Sequence, residues 1–328
     1  MPSLDPAFEI RAPQPVALVP AGRLQVAVYE TAEQMGLASA LAIAGEQCRL
    51  VDEQGETSIQ LMAAPSAFAF YRAYAGLARL SPRLQQAIAQ THFFQFDDYM
   101  LPAHHQASFR FLLTHHFFAH LADWYDSAKV HFFQPDVLGP EQACDDYVAL
   151  LTAHGPDLML KGQGEDGHWG FHQPGIPIEG EPRFITVEMN EMNLAQQMRD
   201  HPSLFRRRED VPAFAYTANV PLFMRTRVLI EDNVPQAAKA YAVLAAYGND
   251  VVDACCPSGA LKRHASAVAR TTLAAAWALL EYRERGCLSA DAMARLDAIW
   301  DTPGDPAATD AKRRFMRQSL ATLGIQHE

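Results

Sequence analysis

Short apolar segments alternate with longer amphipathic segments along this chain, which predicts strands and helices in turn. Thr31 and Gln34 have the spacing of a capping box that opens the first helix. Further helical patterns cover residues 66–80 and 107–124. The predicted strands are residues 58–64, 91–96, 129–133, 157–162 and 226–231. This order predicts an α/β fold with a doubly wound, mostly parallel sheet and helices on both faces.

The same pattern predicts one large domain. Residues 1–30 are proline-rich and form a predicted N-terminal extension, whereas residues 31–328 form a single α/β domain. From about residue 268 the pattern is mostly helical, so we expect extra C-terminal helices. The sequence contains no internal repeat, low-complexity segment or evident linker that would divide this domain.

The amino-acid composition and the net charge disfavour some classes of binding partner. Of the 328 residues, 49% are hydrophobic, which is ample for a packed core, and the formal net charge is -11. That charge disfavours nucleic acid and anionic membranes as partners, and no apolar run has the length of a membrane span. The five cysteines lack CxxC spacing and the N-terminus lacks a signal-peptide pattern, so we predict reduced thiols in a cytoplasmic protein. We predict no cofactor.

Polar residues follow the predicted strands at the points where those strands end. They include Ser66, Asp97, Asp98, Asp166, His168 and Lys239. Ligands of open parallel sheets bind outside the carboxyl ends of the strands, so we expect these side chains at one crevice. A carboxylate close to an imidazole can move protons at neutral pH. The sequence therefore predicts an acid–base site at this edge.

Two sequence blocks have a recognisable form. Residues 95–100 read QFDDYM, an acidic turn directly after a strand. Residues 162–174 fit G-x-G-x-D-G-H-x-x-F-x-x-P at every fixed position. In this order and at this spacing, the blocks resemble the glucosamine-6-phosphate deaminase (isomerase) family, whose relatives include the 6-phosphogluconolactonases. The resemblance runs from Thr31 to about Lys239 and implies the Rossmann-like fold of that family.

The resemblance implies roles for the matching residues. Asp97 would be the base that moves a proton between C1 and C2 of an open-chain sugar. His168 would transfer a proton at the ring oxygen during ring opening, and Asp166 would orient that imidazole. Lys239 would bind a phosphate. The further candidate positions for substrate binding are Ser66, Asp98, Gly164, Gly167 and Arg199.

Three positions depart from the family pattern. Gln173 stands where the family has a ring-opening glutamate, and it supplies no charge. The stretch APSAFAF (64–70) replaces the family's phosphate loop, and Gln197 aligns with its phosphate-binding arginine. We therefore expect weak phosphate recognition and a different sugar, one without a phosphate. With Gln173 as a catalytic position, ring opening is expected to limit the rate, and Gln173→Glu is expected to accelerate it.

A metal site is a competing interpretation of the same loop. His168 and His172 are four residues apart, as in metal-binding helices, and Asp166 lies beside them. Gly170 and Pro174 disfavour the helix that this geometry needs, so we predict no metal site.

The predicted function is an aldose–ketose isomerase or deaminase that acts on a small-molecule sugar. A sugar lactonase would use the same crevice for hydrolysis. A non-catalytic sugar-binding protein is the other alternative, because this fold also serves as an effector domain in bacterial regulators. The N-terminal segment is too short and proline-rich for a helix-turn-helix, and Asp97 with His168 favours chemistry. The sequence leaves the oligomeric state open, a homo-oligomer included.

Overall fold

The computed structural model describes residues 9–121, 123–302 and 306–328. Its main sheet has eight strands in the order β1-β2-β11-β10-β7-β3-β4-β6. From β2 to β6 all neighbouring strands are parallel, and only β1 runs antiparallel to β2. The strands are β1 Ala17–Ala21, β2 Leu24–Tyr29, β3 Thr57–Leu61, β4 Thr91–Gln95, β6 Val130–His131, β7 Leu158–Lys161, β10 Leu229–Val234 and β11 Ala267–Thr272. Every residue of β3, β7 and β10 is buried, as expected of parallel strands covered on both faces.

The helices surround this sheet, and the predicted fold class is confirmed. They are α1 Ala32–Gln54, α2 Phe68–Leu80, α3 Pro82–Ala89, α4 Phe109–His116, α5 Pro135–Leu138, α6 Pro140–His154, α7 Glu191–Asp200, α8 Val220–Phe223, α9 Ala240–Tyr247, α10 Leu273–Arg285, α11 Ala290–Ile299 and α12 Pro306–Thr322. Thr31 caps α1 by accepting a bond from the Gln34 amide at 3.2 Å. No helix in the described ranges is long and apolar enough to cross a membrane.

The structure differs from the predicted domain boundaries at both ends. The hairpin β1–β2 lies within the predicted extension, yet β2 pairs with β11 and belongs to the main sheet. Residue 268 lies inside strand β11, so the helical part begins only at α10. The predicted helix over residues 107–124 is also shorter, because α4 ends at His116 and a single 3₁₀ turn follows it.

A second, three-stranded antiparallel sheet places the acidic turn. Strand β5 (Asp97–Tyr99) follows β4 after one residue and pairs with β9 (Phe214–Ala218), which pairs with β8 (Phe184–Glu188). Successive side chains of a strand point to opposite faces. Asp97 and Asp98 therefore point in opposite directions, and this decides which carboxylate reaches the crevice.

Candidate active site

A cavity opens at the carboxyl ends of the central strands, where ligands of parallel sheets bind. The segments that follow β3, β4, β7 and β10, together with helix α7 and the first residue of α4, provide its walls. Of the residues predicted from sequence, the structure brings together Ser66, Asp97, Gly164, His168 and Lys239. Asp98, Asp166, Gly167, Gln173 and Arg199 lie outside its lining.

Asp97 is the carboxylate that faces this cavity. Its side chain is 5% exposed, and among the described residues no group donates a hydrogen bond to it. Burial, and to a smaller extent the charge of Asp98, raises the pKa of Asp97 well above its ordinary value. A carboxyl group in this state can accept and return a proton near neutral pH.

Asp98 faces the other way, which corrects its predicted place in substrate binding. Its oxygens accept hydrogen bonds from the backbone amides of Tyr99 at 2.8 Å and Phe109 at 2.9 Å, and from the Ser108 hydroxyl at 3.1 Å. The Arg110 guanidinium lies 3.4 Å away. Asp98 thus fixes the start of α4 against β5, and no part of it lines the cavity.

His168 and Asp166 form a buried pair beside Asp97. The Nδ1 of His168 lies 2.7 Å from Oδ1 of Asp166, which also accepts the His168 backbone amide at 3.1 Å. Burial raises the pKa of Asp166, but the imidazole and the hydrogen bonds lower it more, so the net change is downward. Asp166 thus holds the imidazole from behind while His168 lines the cavity.

Glycines allow the loop to close around this imidazole. A Cβ at Gly164 would lie 1.9 Å from the His168 ring, so only glycine admits the ring there. Gly167 has a φ of +87°, and a Cβ there would lie 2.6 Å from the Cys256 sulfur. Gly167 therefore shapes the loop from outside the cavity, whereas Gly164 lines it.

Gln173 is a structural residue here, and this corrects its predicted position among the catalytic groups. Its Nε2 donates to the carbonyl of Glu188 at 2.6 Å. Its Oε1 accepts from the Asn190 amide at 2.9 Å and from Nδ2 of Asn193 at 2.6 Å. The side chain is buried and ties the loop to the start of α7, so it does not face the cavity.

Lys239 and Ser66 lie together in the cavity wall. Lys239 donates to the Ser66 hydroxyl at 3.0 Å, and that hydroxyl donates to Oε1 of Gln236 at 2.8 Å. Burial lowers the pKa of Lys239, while the carboxylates of Asp200 and Glu165 oppose that change. Asp200 also lines the cavity, so the positive charge of Lys239 faces a nearby negative charge.

Arg199 does not reach this cavity. It forms an ion pair with Glu165, and both residues line a separate, smaller cavity of about 290 Å³. Its charge is therefore directed away from the position where a phosphate was expected. The same ion pair holds Glu165 away from His168, which leaves Asp166 as the carboxylate beside that imidazole.

Helix α7 and the residue after it add Gln196, Gln197, Asp200 and His201 to the cavity. Of these, the sequence singled out Gln197 alone, as the position that aligns with the family's phosphate-binding arginine. Their spacing of one, three and four residues places them along one face of a helix. This polar face is the signal in the sequence that could have identified them.

His172 has no free nitrogen for a metal. Its Nδ1 accepts the Val220 amide at 3.1 Å, and its Nε2 lies 3.2 Å from the Ile176 carbonyl. Burial lowers the pKa of His172 to about 4, so the ring is neutral at pH 7. These bonds fix the loop, and the interpretation of His168 with His172 as metal ligands fails on geometry.

The parallel sheet and this cavity define an α/β protein with a buried acid–base pair at a small-molecule site. Residues 30–188 match the family of glucosamine-6-phosphate isomerases and 6-phosphogluconolactonases. This match confirms the resemblance that the sequence blocks indicated, and the solved structures that resemble the chain have the same type of α/β fold.

Individual relatives show the degree of sequence identity and the length of chain that is aligned. The glucosamine-6-phosphate deaminase of Shouchella clausii is 29% identical over 196 residues, which are 58% of this chain and 74% of the relative. That of Bacillus velezensis is 35% identical over 127 residues, 38% of this chain and 48% of the relative. The second alignment therefore spans less than half of that relative.

Two solved structures show the similarity of fold. A monomeric glucosamine-6-phosphate deaminase has a TM-score of 0.63 at 22% identity and covers 77% of this chain and 98% of its own. The 6-phosphogluconolactonase of Trypanosoma brucei has a TM-score of 0.59 at 17% identity and covers 80% of this chain and 99% of its own. At these identities the similarity establishes the fold, and the reaction has to be argued from the site.

Proposed function

We propose that the protein is an aldose–ketose isomerase or deaminase that transfers a proton between C1 and C2 of an open-chain sugar. The proposal rests on the burial and the position of the Asp97 carboxylate. The carboxylate is buried, faces the cavity and accepts no hydrogen bond within the described ranges, so a substrate carbon can approach it. Proton abstraction next to a carbonyl needs a base of this kind.

The proposed steps follow from the groups present. His168 donates a proton to the ring oxygen as the C1–O ring bond breaks and the C1 hydroxyl gives up its proton to water, while Asp166, 2.7 Å from Nδ1, orients the imidazole. Asp97 then removes the proton from C2 of the open-chain aldehyde as O1 gains a proton, and returns it to C1 as the C2 substituent loses a proton, which gives the ketose when that substituent is a hydroxyl. If C2 carries an amino group, the product is a ketimine, and hydrolysis of its C=N bond by water releases ammonia.

We further propose that the substrate carries no phosphate. Lys239 is the one lysine or arginine in the described lining of the cavity, and the carboxylates of Asp200 and Glu165 oppose its charge. The amides of Ala67 and Phe68 donate to the carbonyls of Ala64 and Pro65, so they are not free to bind an anion. A charge-assisted phosphate site needs more donors than these.

Calorimetric titration tests the phosphate proposal. We expect a sugar and its 6-phosphate to bind within about a hundredfold of one another, a difference below roughly 3 kcal/mol. Asp200→Asn should shift the preference toward the 6-phosphate, because it removes the carboxylate that opposes Lys239. Asp210→Asn is the control, an acid outside this cavity. A wild-type preference well above a hundredfold for the 6-phosphate would contradict the proposal.

Lactone hydrolysis is the second candidate, and the position of Gln173 favours it. With Gln173 engaged in structural bonds, the cavity lacks the third group that the family resemblance implies for ring opening. The His168–Asp166 pair is sufficient to activate a water molecule for attack on a lactone carbonyl.

Proton NMR in D2O separates these functions in one experiment. Aldoses, amino sugars, sugar lactones and their 6-phosphates are each incubated with the purified protein. We expect the C2 proton of one aldose or amino sugar to exchange with solvent deuterium. Consumption of a lactone without C2 exchange would support hydrolysis instead. If no substrate reacts although one binds, the protein is a sugar-binding protein and the proposed enzyme activity is wrong.

A further inference from the structure

Three histidines outside the cavity lining meet beside β4. His92 lies near the start of β4, His131 ends β6 and His154 ends α6. Each offers a ring nitrogen, and these nitrogens all lie within 4.8 Å of one another. Among the described residues, this is the one group of three or more histidine, cysteine or acidic side chains that could hold a metal ion.

The rings are packed face to face around a common point. The centroids of His92 and His131 are 5.1 Å apart with ring planes 6° from parallel. The His154 ring lies 4.0 Å from that of His92 and 5.3 Å from that of His131. The Nδ1 of His92 lies 2.8 Å from the Nε2 of His131, so two lone pairs face each other across a gap that one proton or one cation can bridge.

The surroundings of the cluster suit a divalent cation. Glu56 places Oε2 3.5 Å from Nε2 of His92, on the ring nitrogen that faces away from His131. A carboxylate in this position orients a metal-binding imidazole and raises its basicity. Two cations lie nearby, and both have partners. The amine of Lys129 donates to Oε1 of Gln90 at 2.8 Å, and Arg227, which lines the same depression, forms an ion pair with Asp157 at 2.6 Å. An ion can approach from solvent, because His92 and His154 line an open surface depression of about 490 Å³.

We propose that His92, His131 and His154 bind a divalent transition-metal ion of the zinc type, with water in the remaining position. Three imidazoles suit zinc, nickel, cobalt and copper ions, and three protein ligands leave one tetrahedral position open. Two nitrogens on a tetrahedral zinc ion lie about 3.3 Å apart, given Zn–N distances of about 2.0–2.1 Å. The His92 and His131 nitrogens are 2.8 Å apart, so a small rotation of either ring provides the geometry.

The proposed site is separate from the proposed enzyme activity. His92 precedes Asp97 by five residues along an extended segment, roughly 16 Å at about 3.3 Å per residue. None of the three histidines lines the cavity, so metal binding can be measured without any substrate.

The test uses the full chain without a polyhistidine tag, freed of metal by a chelator. Titration with Co²⁺, followed by visible d–d absorption, should show one ion per chain that an equimolar amount of Zn²⁺ displaces. His154→Gln should weaken binding at least tenfold, since it removes a ligand from the exposed end of α6. Glu56→Gln should weaken it by about tenfold through His92.

Two histidine variants outside the cluster serve as controls. His120→Gln removes an exposed histidine from another element, and His168→Gln removes one of the two histidines in the described lining of the cavity. Both should bind Co²⁺ like the wild-type protein. The proposal is overturned if the wild-type chain binds no stoichiometric metal below millimolar concentrations. It is equally overturned if His154→Gln binds as tightly as wild type, or if His168→Gln alone loses the metal.

Discussion

Asp97→Asn is expected to reduce the C2 proton exchange by about a thousandfold or more while the fold remains intact. The amide has the shape of the carboxyl group but cannot accept a proton, and general acid–base groups contribute about 10²–10⁴ in rate. Because the described residues give the Asp97 side chain no hydrogen bond, the substitution breaks none there. Exchange followed by NMR on the substrate identified in D2O measures the loss.

The same variant should be more stable than the wild-type protein at neutral pH. The folded pKa of Asp97 is raised, so the folded protein binds this proton more tightly than the unfolded chain does. Ionising Asp97 therefore costs stability as pH rises from about 4, the unfolded pKa, up to the raised folded value. The difference in thermal midpoint between Asp97→Asn and wild type should grow across that range and vanish at lower pH.

Asp98→Asn is the matched control, since the two aspartates are adjacent and only the side chain of Asp97 lines the cavity. An amide group at position 98 cannot accept all the bonds from Tyr99, Phe109 and Ser108, and the loss should cost about 1–3 kcal/mol of stability. Wild-type turnover in Asp97→Asn would show that another group is the base. Lower stability in both variants would show that Asp97 is also structural.

The central sheet could be predicted from the sequence because its strands are buried on both faces. Such strands are often continuous apolar runs that local pattern detects, as in residues 158–160 of β7. In β3 the polar Ser58 and Gln60 alternate with Ile59 and Leu61, and that strand was predicted from this short alternating segment. The hairpin β1–β2 was missed because Pro20 lies in β1, and proline is tolerated only at a sheet edge. Strand β11 was missed because Arg270 interrupts it, and the partner that allows its burial, Glu231, lies on the neighbouring β10.

The candidate site was predictable only where neighbouring residues in the chain create it. Asp97, Asp166 and His168 belong to short blocks whose form depends on local turns. The direction of a side chain was not predictable, because it depends on pairing across elements. Gln173 occupies an expected position in the sequence, yet the docking of α7 turns it away from the cavity. The three-histidine cluster lacks any local spacing, because its members come from three separate elements.

Gln173→Glu is expected to make the protein less stable. The faster ring opening that the sequence predicts for this variant is not expected, because the side chain at position 173 does not line the cavity. The Nε2 of Gln173 donates to the Glu188 carbonyl at 2.6 Å, and an ionised carboxylate would place a negative oxygen against that carbonyl in a buried position. Loss of this donor together with an unpaired buried charge should cost on the order of 3 kcal/mol.

The pH dependence of thermal denaturation distinguishes destabilisation by the buried negative charge from destabilisation by the lost hydrogen bond to Glu188. Burial raises the pKa of a carboxyl group, so below that raised value a glutamate at position 173 is protonated and can again donate to the Glu188 carbonyl. The thermal midpoint of Gln173→Glu should therefore be only slightly below that of wild type near pH 5, and roughly 5–10 °C below it near pH 8. Gln173→Met, which removes the same bonds without adding charge, should lower the midpoint equally at both pH values. If Gln173→Glu instead keeps the wild-type midpoint and speeds turnover of cyclic sugars, its carboxylate reaches the cavity and the family role applies after all.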